Sequence, residues 1–417
     1  MNISGHTELL QRKGVLIPNP TAVDIDAEID PARISGEGVV FYPGTRIYGA
    51  DTVISAGVKL GYEGPVTIEN CQLGSRVQLK GGFFSTSVFL DGCTMDNGAH
   101  VRQGCLLEEE TRAGHTVGLK QTILFPFVTL GSLINFCDCF MAGGTDRKNH
   151  SEVGSSYIHF NYTPQQDKAT ASLIGDVPQG VMLRQKPIFL GGQGGLIGPA
   201  RIAFGTVIAA GTIFRGDCTE DGKFVSSGAN KDRLTAYHPG LYVHVSRRIR
   251  INLSYMANLL ALKQWYIHVR QPFFLKHALA ETVHQGALNT LDAALHERLL
   301  RMDELAEKMD ESLAQVSRHL KGQQKKLARG EQEAFRDRWP EIRGIFEAKL
   351  EESLGADDRH RFLTCVDQTA TRHQHYLAMI RALPPEAVAC GKRWLGKIVT
   401  GISTRGESIL SGETGGP

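Results

Sequence analysis

Little in this sequence points to a charged partner or to a membrane. Its 46 lysines and arginines nearly cancel 44 aspartates and glutamates, and a net charge of +2 leaves no electrostatic footprint for a nucleic acid. Long hydrophobic runs are missing. The best candidate, Leu253 to Val269, is broken by Asn258, Lys263 and Gln264, which argues against a transmembrane helix. The opening MNISGHTELLQRKG has no apolar core and does not read as a signal peptide. None of the eight cysteines forms a Cys-x-x-Cys pair, and Cys137 and Cys139 stand too close together to chelate one zinc. Reduced thiols, a cytoplasmic location and no bound metal are the expectation.

Glycine, by contrast, is abundant at 46 residues, with no collagen-type triplet to account for it. Tight turns in a repeat account for it better. In LGGQGGLIGPARIAFGTVIAAGTIF, apolar residues recur every six positions at Leu190, Leu196, Ile202, Ile208 and Phe214. Six fits neither the 3.6-residue helix nor a long strand of period two. It fits short strands joined by turns, stacked so that each face buries one side chain. Weaker fragments of the spacing lie upstream: Ile34 and Val40, Ile47 and Val53, Leu60 and Val66, Leu73 and Leu79, Val101 and Leu107, Val117 and Ile123. A β-sandwich with glycine turns is the competing fold.

A chain of 417 residues implies two or three units. The pattern divides it into an N-terminal segment (1–30), a parallel β-helix of hexapeptide repeats (31–217), a connector (218–246) and a C-terminal α-helical region (247–417). The hexad spacing vanishes between 137 and 187, which reads as an inserted, polar loop and the first place to seek chemistry. In the helical region Leu288, Leu295, Met302, Met309 and Val316 lie seven apart, with Leu291 and Leu305 on a second seam that Arg298 and Ser312 interrupt. That stripe predicts coiled-coil-like packing, either within one chain or between chains. The glycine-rich end, SGETGGP, is expected to fray.

Three phrases in order, VRQGCLLEEETRAGHTVGLK, KNHSEVGSSYIHFNYTP and IFLGGQGGLIGPARIAFGTVIAAGTIF, resemble the acetyltransferase half of the bifunctional enzymes that make UDP-N-acetylglucosamine. The resemblance implies a left-handed β-helix, a homotrimer with sites between subunits, and acetyl-CoA as acyl donor. The nucleotidyltransferase half of that family has no counterpart in this sequence, so no pyrophosphorylase activity is expected.

The resemblance also nominates site residues. Arg102 and Lys120 fall where the family holds a sugar phosphate, and two cations suit a phosphate dianion; solvated surface charge is the alternative. Asn161 and Tyr162 match an Asn-Tyr pair of the acyl-CoA site, although Thr163 and Pro164 replace the usual Asp-Gly. His150 sits in an Asn-His phrase like that of the family's catalytic base. Its spacing from Lys120 is longer than the family's, Gly118 replaces the supporting carboxylate, and a loop histidine without a catalytic task is the alternative. Placing the gap differently brings Glu152 or Cys137 near that position. Gly192, Ala210 and Gly211 correspond to small residues beside the pantetheine arm, or simply form tight turns. Arg247, in a basic cluster with Arg248 and Arg250, either reaches CoA phosphates or caps the next helix.

Two functions compete. One is an enzyme that moves an acetyl group from acetyl-CoA to the amine of an amino-sugar phosphate or nucleotide sugar. The other is a non-catalytic β-helix scaffold whose helical region binds a partner protein. A metal-dependent β-helix enzyme would need histidines at coil-related separations, which His100, His115, His150 and His159 do not have.

Overall fold

The computed structural model describes residues 5–226, 228, 234–275 and 278–412. A parallel β-solenoid of about 11 turns is followed by a C-terminal helical region. Each coil has three faces. The third face is a 10-stranded parallel sheet running from Val40–Phe41 to Phe224–Val225. The first and second faces merge into one 16-stranded sheet, because Gly118–Leu124 and Asn135–Met141 run through the corner between them.

One inward side chain per face builds the interior. On the first face Ile47, Ile68, Phe84, Val101, Leu119 and Phe136 stack in register, all buried. The hexad residues Leu190, Leu196, Ile202 and Ile208 occupy the same kind of position on successive faces. At the corner between the first and second faces, Asn70, Thr86, Gly104, Gln121 and Asp138 all have left-handed backbones, with φ of 50°, 46°, 80°, 50° and 55°. Short polar residues and glycine bear that conformation most cheaply. Directly after this corner Cys71, Ser87, Cys105, Thr122, Cys139 and Ser172 form a buried ladder, where only small side chains fit. All eight cysteines are free.

The segment 137–187 carries solenoid strands as well as excursions. Glu152–Val153, Ile158–Phe160 and Ser172–Ile174 pair into the three faces. The chain leaves the rungs for a hairpin at 144–150, for the stretch 161–171, and for a short turn of helix after 175. Those departures erase the period of six.

The helices are α1 (Gly5–Lys13), α2 (Val177–Gly180), α3 (Ser246–Trp265), α4 (Gln271–Phe274), α5 (Ala278–Glu307), α6 (Met309–His319), α7 (Gly322–Glu347), α8 (Ala356–Ala370), α9 (Tyr376–Ala382) and α10 (Pro385–Ser411). Helices α3 and α5 lie against the second face. Its outward residues Val88, Leu106, Ile123, Phe140 and Leu173 are therefore apolar and buried, at 0 to 2% exposure. Tyr255 of α3 stacks on Phe140 at 5.4 Å. Gly286 lets α5 approach closely, since a Cβ there would stand 2.5 Å from Gln72 Oε1.

Polar joints fix the helices in register. Asn258, which broke the apolar run, accepts from Val177 N at 2.9 Å. A π-helical turn, Tyr266–Arg270, presents Tyr266 and Arg270 to the solenoid's Glu108 and Glu109. The Tyr266 hydroxyl donates to Glu108 at 2.6 Å, and the buried Arg270 guanidinium lies over the Tyr376 ring at 4.0 Å. The heptad stripe packs within the chain: Met302, Leu305, Met309 and Val316 are buried, and α6 pairs with α7. Ser312, one interruption of the seam, accepts from Tyr242 N at 3.0 Å. Among the described residues no helix is long and apolar enough to cross a membrane. Residues 413–417 of the glycine-rich end lie outside the described residues.

Candidate functional site

Arg102 and Lys120 are separated by one full coil, so the solenoid stacks them. Val101 pairs with Leu119, and Arg102 N donates to Leu119 O at 2.8 Å. On the next coil Lys120 pairs with Cys137. Two cations and a half-buried thiol thus form one column at the edge between the first and second faces. Burial pushes the Cys137 thiol up, while the Arg102 and Lys120 charges pull it down.

Asp138 follows Cys137 at the left-handed corner. One carboxylate oxygen accepts from Asn161 Nδ2 at 2.8 Å, and the other from Arg298 of α5 at 2.5 Å. Asn161 Oδ1 accepts in turn from Thr170 Oγ1 at 3.1 Å. Asn161 is therefore held on both ends of its amide beside the cation column. Tyr162 is half exposed, with the Arg215 guanidinium 5.2 Å over its ring.

His159 occupies an inward rung position, between Phe136 on one coil and Leu196 on the next. Its Nδ1 lies 2.5 Å from Cys137 O and its Nε2 2.8 Å from Ser172 Oγ. Burial pushes its pKa down to about 4. It is a core histidine that pins the column from behind.

His150 lies elsewhere. It ends the hairpin at the edge between the second and third faces, where Glu152 stands 3.9 Å from its Nε2. Within one chain the solenoid body separates it from Arg102, Lys120 and Asn161. Burial, then the Arg147 charge, lowers its pKa below the ordinary histidine value. A neutral imidazole beside a carboxylate can accept a proton.

Gly192 and Ala210 lie at the corner after the third face. A Cβ on Gly192 would stand 2.6 Å from Ser155 O, and one on Gly191 2.3 Å from Ala210 N, so close stacking of turns already demands small residues. Arg247 grips Asp217 with both ends of its guanidinium, at 3.0 and 2.7 Å, and donates to Pro199 O at 3.0 Å. That geometry ties the first turn of α3 to the last coils.

Sequence reasoning missed Asp138 and Arg298. Arg298 was visible only as a flaw in the heptad seam; at 2% exposure it is a charge placed to meet Asp138. Asp138 gave no signal, because its partners are distant in sequence.

No protein-family model matches the chain. Curated relatives do match. The chain is similar to proteins named bifunctional protein GlmU. It is 26% identical over 213 residues to that of Trichlorobacter lovleyi, covering 51% of this chain and 41% of the relative. It is 26% identical over 225 residues to that of Listeria welshimeri, 54% and 43% of the two chains. To that of Thermotoga maritima it is 25% identical over 227 residues, 54% and 44%. The chain spans only about two-fifths of the length of these GlmU relatives. The similarity and the solenoid agree with the hexapeptide-repeat acetyltransferase resemblance read from the sequence.

Proposed function

We propose that the protein is an acyltransferase that moves an acetyl group from acetyl-CoA to the amine of an amino-sugar phosphate or nucleotide sugar, in the cytoplasm. The observation that carries this reading is the Arg102–Lys120 column, stacked on adjacent coils beside the clamped Asn161. Paired cations suit a phosphate, and a fixed amide suits orientation of a bound acyl donor. In the reaction the amine attacks the thioester carbonyl, the carbon–sulfur bond breaks, and the thiol leaves with a proton. His150 is the base in this reading, supplied by a neighbouring subunit. A cyclic trimer joins unlike edges of successive copies, which is how one copy's hairpin edge can face the next copy's cation column.

The test is free thiol released from acetyl-CoA in the presence of a panel of amino-sugar phosphates. Release that falls at least tenfold in Arg102→Ala and Lys120→Ala (roughly the loss of one charge-assisted contact) supports the reading. No release across the panel overturns it. The scaffold reading draws on the distance between His150 and the cation column within one chain. It predicts no turnover and a partner protein retained by the helical region.

A further inference from the structure

A second cluster of cations lies at the hairpin edge, and neither Arg102 nor Lys120 belongs to it. Arg147, Lys148, Arg184 and Arg381 line an open groove of about 580 Å³, with Glu110 and Asp146 as its acidic members. Formal charge in the groove is therefore about +2, four cations against two carboxylates. None of the four cations is in an ion pair among the described residues.

The three guanidiniums are held in place by neutral groups. Arg147 donates to Glu110 O at 3.0 Å, Phe127 O at 2.6 Å and Thr129 Oγ1 at 2.9 Å. Arg184 donates to Arg381 O at 2.9 Å and Leu383 O at 2.8 Å, closing the end of α9. Arg381 donates to Thr145 O at 3.1 Å and lies 4.9 Å over the Phe127 ring. Carbonyl oxygens fix a guanidinium without cancelling its charge. Among the described residues the two acids make no ion pair with these cations, and Asp146 is turned into its own hairpin, accepting from Lys148 N at 2.7 Å and Thr145 Oγ1 at 2.9 Å. Lys148 is exposed at the rim, free to swing toward a ligand.

We infer that this groove binds the phosphate or pyrophosphate group of a small-molecule ligand. Cations that outnumber the nearby carboxylates are what a doubly charged oxyanion requires, and the three pinned guanidiniums lose little freedom when it arrives. The site stands whether or not the chain transfers acyl groups. Its neighbour His150 feels part of this charge: burial first, and then the Arg147 guanidinium, lowers the imidazole pKa. A bound anion would oppose the Arg147 contribution, so His150 is a reporter within the structure.

Calorimetric titration of the full chain with inorganic phosphate and with inorganic pyrophosphate tests the inference. Saturable binding is expected, weakened roughly tenfold or more by Lys148→Glu, and unchanged by Lys326→Glu on exposed α7. Tighter binding of pyrophosphate assigns the groove to a nucleotide-type ligand, and binding of phosphate as tight or tighter assigns it to a phosphate monoester. Because Lys148 is exposed, its variant tests the groove even if Arg381→Gln fails to fold. The His150 proton resonance, identified by its loss in His150→Asn, should titrate at higher pH with pyrophosphate bound. Absence of saturable binding, or equal affinity in Lys148→Glu, overturns the inference.

Discussion

Arg298, in the middle of helix α5, reaches into the solenoid and meets the Asp138 carboxylate at 2.5 Å, with both side chains almost wholly removed from solvent. The other oxygen of that carboxylate holds Asn161. The joint between the two halves of the molecule is thus also the clamp on a candidate site residue. Removing one partner of a buried pair strands the other charge, which costs about 3–5 kcal/mol. Arg298→Ala should lower unfolding stability by that amount in urea titrations. Arg298→Met with Asp138→Asn should recover a large part of it. A double variant as unstable as the sum of the singles would contradict the pairing.

The second face makes its own prediction. Leu106 points away from the solenoid interior yet is fully buried beneath the helices. Leu106→Ala leaves a cavity and should cost about 2–5 kcal/mol. Lys59→Ala, at the outward position of the uncovered third face, should stay within about 0.5 kcal/mol. Equal effects in the two variants would mean that the helices do not seal this face.

His159 should make stability depend on acid. Its ring titrates near 6.5 when unfolded and about 4 when folded, because burial disfavours the charged form. Between those values the unfolded chain binds more protons. The contribution is therefore whole above pH 6.5 and is lost as pH falls toward 4, at most about 3 kcal/mol. His159→Gln should flatten the stability profile in that window. An unchanged slope in the variant would assign the acid sensitivity to other groups.

The array from Leu190 to Ile208 was legible because each of its apolar residues points inward at a constant step of six. The upstream pairs were harder to read because they mix inward residues with outward ones: Ile47 faces the interior, whereas Val53 and Ile123 lie on the helix-covered side. The cover itself left a trace in the doubled apolar residues Leu106-Leu107, Ile123-Leu124, Phe140-Met141 and Leu173-Ile174. A search for one apolar residue per face passes over such doublets. Arg102 and Lys120 could be paired from sequence, since a full coil of three hexads stacks residues one above the other. The separation of His150 from them could not be seen. It depends on which corner the hairpin hangs from, and the spacing of residues along the chain does not encode that.

Packed together through the Asp138–Arg298 and Glu108–Arg270 joints, the helices and the solenoid are expected to unfold as one cooperative body, with the candidate site at their seam. The chain carries its own probes for each half. Trp265, Trp339 and Trp394 all lie in helices, and the buried Cys71, Cys93, Cys105 and Cys139 all lie in the solenoid. Urea unfolding followed by tryptophan fluorescence and by reactivity of those four thiols measures both halves at once. The two transitions are expected to coincide, as a single cooperative unit requires. Loss of the tryptophan signal at lower urea, with the four thiols still protected, would contradict it.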